Sequence, residues 1–179
     1  MIFKITAVIS YIRRYLLFIC LFIALKMCYN TKDTKKRGKI MNILIIDAQG
    51  GGMGKQIITA VKKEFPDIEI TAVGSNALAT SNMLKAGVEH AATGENAVVV
   101  ACRKADVIIG PIGIVIADSM YGEITPDMAV AVGQSSAIKL LIPMNQCDNV
   151  IIGMENVSMN FMVSSVIEEL EEILKSGNK

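Results

Sequence analysis

The stretch that decides the fold is Asn42–Glu64, NILIIDAQGGGMGKQIITAVKKE. Asn42 to Asp47 is a short apolar run rich in β-branched residues and bounded by glycines, which reads as a strand buried on both faces. Gly50-Gly51-Gly52-Met53-Gly54 is a turn. After it Ile57, Ile58, Val61 and Phe65 recur at helical spacing, with Lys62, Lys63 and Glu64 turned outward, until Pro66 ends the helix. The order is strand, glycine loop, helix, the opening of an α/β unit.

Downstream, the pattern repeats. Glu69–Val73 reads as a second strand, and Ser75 or Asn76 can cap a helix over Ala77–Ala86 that closes on Gly87. Val88–Ala92 reads as a short third strand. Glu95-Asn96 opens and Arg103-Lys104 closes a helix around Ala97–Cys102, by the preference of acids for helix starts and bases for helix ends. Asp106–Gly110 is a further strand. Thr125-Pro126-Asp127 starts a helix that runs to about Ser135, and Lys139–Pro143 and Val150–Gly153 read as two more strands. From Ser158 a last helix carries Val163, Val166, Ile167, Leu170, Ile173 and Leu174 on one stripe, opposite Glu168, Glu169, Glu171 and Glu172. Apolar, non-alternating strands separated by helices imply an α/β domain of three layers, Rossmann-like, around a mainly parallel sheet. No internal repeat or linker interrupts it, so a single domain is expected over residues 41–175.

The composition agrees with that reading. Of 179 residues 52% are hydrophobic and 20% charged, which excludes a disordered chain, and the 14 Gly and 4 Pro exclude a collagen-like one. The net charge of +1 averages two unlike pieces: nine of the 18 basic residues lie in residues 1–40 beside a single acid, Asp33, whereas nine basic and 16 acidic residues follow from Met41. The acidic body, without a basic patch interleaved with aromatics, argues against nucleic acid as a partner. Cys20 and Cys28 fall in the leader, Cys102 and Cys147 stand far apart, and no C-x-x-C or His/Cys cluster exists, so no metal site is expected.

Residues 1–40 form a basic, apolar leader. Its uninterrupted apolar run, Tyr15–Leu25, is shorter than the roughly 20 residues of a membrane-spanning helix, and extending it backward would bury Arg13 and Arg14. No A-x-A-type cleavage site follows, and Lys26-Met27-Cys28 is a poor lipid-attachment site. Three readings stand: a start site set too far upstream of Met41, an interfacial anchor, or an uncleaved signal anchor. The expected location is cytoplasmic, or membrane-associated if residues 1–40 are translated.

The glycine loop is the strongest functional signal. At the carboxyl edge of a parallel sheet, backbone N–H groups and the helix dipole can hold a phosphate, and a Cβ would block close approach. Yet the G-x-G-x-x-G fingerprint fails, because its third glycine would fall on Lys55. The spacing G-x-x-x-G-x-G of short-chain dehydrogenases fits Gly52 and Gly54 but meets Ala48 first, and that family's Tyr-x-x-x-Lys pair is missing, since Tyr121 is followed by Thr125. Ser75 and Asn76 stand where an acid would hold ribose hydroxyls. Gly51-Gly52-Met53-Gly54-Lys55 also resembles the deviant loop of partition-type ATPases, but Gln56 replaces the magnesium-binding Ser/Thr and Gly50 the signature lysine, which argues against ATP hydrolysis.

The residues expected to hold a nucleotide, NAD(P) or another phosphate-bearing ligand are Asp47, Gly50, Gly51, Gly52, Gly54, Lys55 and Asn76, with Gly110, Pro111 and Gly113 as the opposite wall. Asp47 could turn away, pair with Lys55, hold a ribose or metal, or brace the loop. His90, the only histidine, together with Glu95, Asp118 and Glu123, are the candidates for acid–base chemistry on that ligand, on loops expected to share the carboxyl edge. The alternatives are a small enzyme using those four groups and a non-catalytic homo-oligomer or scaffold whose glycines serve packing alone.

The runs DAQGGGMGKQ (47–56), AVGSNALATSNMLKAG (72–87), HAATGENAVV (90–99) and GPIGIVIADSMYGEITPDMAVAVGQS (110–135) together resemble a bacterial family, domain of unknown function 3842. Four motifs in order cover nearly all of the chain from Met41 and none of the leader, with Ala48 where that family usually has Gly. The resemblance implies a Rossmann-like fold and brings no activity with it.

Overall fold

The computed structural model describes residues 41–144, 149–153 and 157–176, all within the unit Lys39–Lys179; the leader readings lie outside the described residues. Its sheet has five strands, β1 Ile43–Asp47, β2 Ile70–Gly74, β3 His90–Thr93, β4 Val107–Pro111 and β5 Ile138–Ile142, between helices α1 Gly52–Glu64, α2 Ala77–Leu84, α3 Glu95–Cys102, α4 Pro126–Gln134 and α5 Met159–Ser176. The spatial order is β3-β2-β1-β4-β5 and every pairing is parallel. The expected α/β, three-layer, Rossmann-like class is therefore the one observed, with the sheet parallel throughout.

Side-chain alternation along the strands builds the two cores. Ile43 and Ile45 of β1, Ile70 and Ala72 of β2 and Val107 and Ile109 of β4 face Ile57, Ile58 and Val61 of α1, Met83 of α2 and Val166 and Leu170 of α5. Leu44, Ile46, Val73 and Ile108 face Val98 and Cys102 of α3 and Met128, Ala129 and Val132 of α4. The acidic side of α5 stays in solvent, as its stripe requires. All five residues of β1 and of β4 are buried, whereas β3 at one edge is largely exposed.

The handedness of the crossovers explains this distribution. Right-handed β-α-β connections place α1 and α2 on one face while the chain steps from β1 to β3, and α3 and α4 on the other once it returns to β4. Between β1 and β4 the direction of travel reverses, and in open parallel sheets a crevice forms there, beyond the carboxyl ends of the strands.

Two departures from the sequence reading matter for the site. Val150–Gly153 is no strand: Val150 is 75% and Ile152 91% exposed, and Gly153 sits in a turn at φ +84°. An apolar run at an exposed bend imitates a strand in sequence. Conversely, the connection from β4 to α4 contains a 3-10 turn, Ile112–Val115, and a one-turn segment, Ser119–Gly122, whose Met120 and Tyr121 have left-handed backbone. Neither left a periodic signal.

Candidate functional site

At the β1/β4 switch point lies a cleft of about 270 Å³. One wall is the glycine loop: Asp47, Ala48, Gln49, Gly50, Gly51 and Gly52, continuing to Met53 and Gln56 on α1. The opposite wall is Pro111, Ile112, Gly113 and Ile116, with Ser119 and Met120 from the left-handed segment. Met144, Asn149 and Met159 close the remaining side. Asp47 supplies the only titratable side chain among these lining residues.

The loop is held from beneath by Asp47. Its carboxylate, 5% exposed, accepts from the Ala48 N–H (2.8 Å) and the Gly54 N–H (2.6 Å). It thereby caps α1, whose own N-cap residue, Gly51, provides no side-chain bond. Burial pushes its pKa up, outweighing the backbone N–H groups that pull it down. Of the roles open to Asp47 in the sequence, the loop brace is the one the hydrogen bonds describe. Pairing with Lys55 is not formed: Lys55 is exposed and lies outside the cleft lining.

The glycines divide into two kinds. Gly51 has φ +64°, and a Cβ there would lie 2.5 Å from the Ala79 carbonyl oxygen; one at Gly54 would lie 2.6 Å from the Met83 sulfur and 3.0 Å from the Asp47 Cβ. Both positions are closed by packing against α2 and β1. A Cβ at Gly50 or Gly52 would meet nothing within 4 Å among the described residues, although both residues line the cleft. The backbone N–H groups of Gly50 and Gly52 have no acceptor among the described residues, and the first turn of α1 carries no acid. Gly110 is a third packed glycine, its absent Cβ allowing the Ile46 carbonyl oxygen to approach to 2.4 Å of that position; it is buried and does not line the cleft, whereas Pro111 and Gly113 do.

Asn76 and Glu123 do other work than expected. Asn76 caps α2 by accepting from Ala79 N–H (2.8 Å), while its amide donates to the Gln49 carbonyl (3.0 Å) and to Glu123 Oε2 (2.7 Å). Glu123 Oε2 also accepts from the Gln49 N–H (2.7 Å) and from Ser75 Oγ (2.6 Å). Burial raises the pKa of Glu123, but the bonds from Ser75, Gln49 and Asn76 outweigh it and hold the carboxyl below its ordinary range. Asn76 is thus committed to joining the loops after β1 and β2, leaving no donor turned toward a ribose in the cleft.

The other acid–base candidates are not brought together. His90 is exposed at the first position of β3 and pairs with Thr71, which is level with Leu44. That places it two strands from β1 and three residues short of the carboxyl edge, roughly 10 Å below it at about 3.3 Å per residue. The sequence placed it beside the loop after strand three; the strand in fact begins at His90. Glu95 opens α3 at the far side of the sheet, and Asp118 is exposed; neither lines the cleft. Sequence reasoning missed Gln49, Gln56, Ser119 and the methionines, which share no local pattern. A high Met count, 11 in 179, was the one available hint of an adaptable apolar wall. Among the described residues no group of three or more His, Cys, Asp or Glu is placed to hold a metal, and no helix is long and apolar enough to cross a membrane.

Compared with protein families, residues 42–175 match the model of domain of unknown function 3842. The chain belongs to that family. The matched range spans every strand of the sheet and both walls of the cleft. No curated protein matches the chain. Among solved structures, a dodecameric FMN-dependent UbiX-like decarboxylase from Escherichia coli O157:H7 is similar at 14% identity and a TM-score of 0.37, over 73% of this chain and 76% of that one.

Proposed function

We propose that this member of the domain of unknown function 3842 family binds a mononucleotide, or a phosphate-bearing small molecule of similar size, in the cleft between β1 and β4. The observation that carries the reading is the state of Gly50 and Gly52. They line the cleft, present N–H groups with no acceptor among the described residues at the start of a 13-residue helix, and have no neighbour among those residues that forbids a side chain. Glycine there leaves room that none of the described residues fills, and N–H groups at a helix start favour an anion.

Size and wall chemistry narrow the ligand. At about 270 Å³ the cleft falls just below the roughly 300–1,000 Å³ of small-molecule pockets, which suits one nucleoside phosphate rather than a whole NAD(P). The route a dinucleotide would take past the end of β2 is crossed by the Glu123–Ser75–Asn76 contacts. Met53, Met120, Ile112 and Ile116 offer a deformable apolar wall for a flat ring. An acid–base step would fall to Asp47, whose oxygens are already engaged by backbone N–H groups, so binding rather than turnover is the function proposed. The same two glycines weigh against a scaffold in which the loop serves packing alone.

A thermal-shift panel of nucleoside mono-, di- and triphosphates, dinucleotides and inorganic phosphate tests this. Stabilisation should be largest for a mononucleotide, reaching about 2.7 kcal/mol at a hundredfold excess over Kd. A panel in which no phosphate-bearing compound stabilises the protein would remove the proposal.

A further inference from the structure

Three donors, one of them from the cleft-lining residue Gln49, converge on a single oxygen. The Gln49 N–H comes from the loop after β1, while Ser75 Oγ and Asn76 Nδ2 come from the loop after β2; all three point at Glu123 Oε2, at 2.7, 2.6 and 2.7 Å. Such a triad of neutral donors is the arrangement that receives an oxyanion. Among the described residues no lysine or arginine pairs with Glu123, so hydrogen bonds alone hold the carboxylate.

The occupant arrives on a backbone held away from its relaxed state. Glu123 ends a segment in which Asp118, Met120 and Tyr121 have φ of 60°, 54° and 59°, a left-handed conformation that costs any residue with a Cβ. Gln49, on the donor side, is left-handed as well, at 51°. Glu123 remains partly exposed, so solvent reaches the place where an exchange would occur. Gln49, Ser119 and Met120 line the cleft, so a ligand there touches both the donor loop and the segment that carries Glu123.

We propose that the Gln49, Ser75 and Asn76 donors form a second anion subsite of the cleft, occupied at rest by the protein's own Glu123 carboxylate. A ligand with a further phosphate or carboxylate group displaces Glu123 and lets the 118–122 segment relax. The proposal rests on the cleft being a ligand site. It deepens that reading by stating how an extended ligand would be admitted: single-anion ligands bind with Glu123 in place, and longer ones only by exchange.

The test uses inorganic phosphate as the probe and amide NMR of the full chain, wild type against Glu123→Ala. In the variant the Asn76 side-chain amide and the Gln49 N–H, both donors to the vacated position, should shift saturably, with a midpoint at least about tenfold lower in phosphate than in wild type, a difference of about 1.4 kcal/mol. Acetate should compete for the same resonances, since the donors read a shared oxyanion chemistry. Indifference of these two groups to phosphate in the variant, or equal midpoints in both proteins, overturns the proposal. Gly50 and Gly52 report on the cleft separately: their response without one at Asn76 supports the cleft reading and sinks this one, and the converse result separates them the other way. If Glu123→Ala does not fold, Glu123→Gln decides by the same criterion, because it keeps the shape and an acceptor oxygen but loses the charge; an unchanged midpoint there counts against the subsite.

Discussion

The underside and the upper face of the glycine loop use the same residue for opposite ends. Below, Gly51 and Gly54 are required by the fold: one lies against the Ala79 backbone, the other against Met83 and Asp47. Above, Gly50 and Gly52 face the cleft, and a Cβ on either would meet nothing within 4 Å among the described residues, although the Gly50 carbonyl accepts from Asn82 Nδ2 of α2 at 2.8 Å. A glycine-rich loop is therefore no single feature. Part of it is a joint between helices α1 and α2 and strand β1, and part of it is an opening, and only the second part bears on a ligand.

The largest expected effect breaks the joint. Gly51→Ala must place a Cβ 2.5 Å from a backbone oxygen that has no rotamer to yield, at a φ of +64°. Each cost is about 1–3 kcal/mol, and the two together should destabilise by about 3 kcal/mol. Urea unfolding would read it as a lower midpoint with unchanged slope. A variant as stable as wild type would show that α2 moves aside freely and that the joint is not one.

The two carboxylates flanking the loop sharpen the comparison, because they respond to pH in opposite senses. Burial raises the pKa of Asp47 above 3.8 despite its backbone hydrogen bonds. The folded state then binds the proton more tightly than the unfolded one, and stability falls as pH rises from the unfolded value through the folded one. Glu123, lowered from 4.5, contributes stability that is complete above that value and lost as pH falls through its folded pKa. Asp47→Asn turns an amide toward the Ala48 or Gly54 N–H, leaving a buried donor unmatched at a cost of about 1–3 kcal/mol. That deficit should shrink as pH rises, whereas the advantage of wild type over Glu123→Gln should shrink as pH falls. Unfolding curves collected across the acid range check both, and parallel profiles for wild type and either variant would contradict the assigned direction.

Why the sequence disclosed one part of this and not the other follows from the physics of each. The strands were legible because β1 and β4 are buried on both faces and so read as continuous Ile, Leu and Val. The caps at Asn76 and Thr125 were legible because capping is a local bond, seen at Ala79 and Met128. Val150–Gly153 misled because hydrophobicity marks strands only where it is buried. The Glu123 contacts were illegible: they join residues 74, 48 and 47 positions away, through a segment whose left-handed Met120 and Tyr121 carry no glycine or asparagine to announce them. In the glycine loop itself, sequence showed that backbone approaches something closely. It could not show that α2 approaches from below while the upper side stays open.

The smallest expected change in stability comes from the upper face, and it is the most telling. Gly52 is the first residue of α1, its φ is not positive, and an added methyl meets no atom. Gly52→Ala should therefore shift stability by no more than about 0.5 kcal/mol, with a gain as reasonable as a loss because alanine has fewer unfolded states to give up. The same methyl stands beside the N–H that an incoming phosphate would approach. Affinity for the mononucleotide that stabilises wild type most should fall by at least about tenfold, or about 1.4 kcal/mol. Intact stability with lost affinity is an outcome that no packing role for Gly52 can produce. Intact stability with intact affinity would mean the opening is not where the phosphate enters, and would leave Gly50 as the position to substitute next.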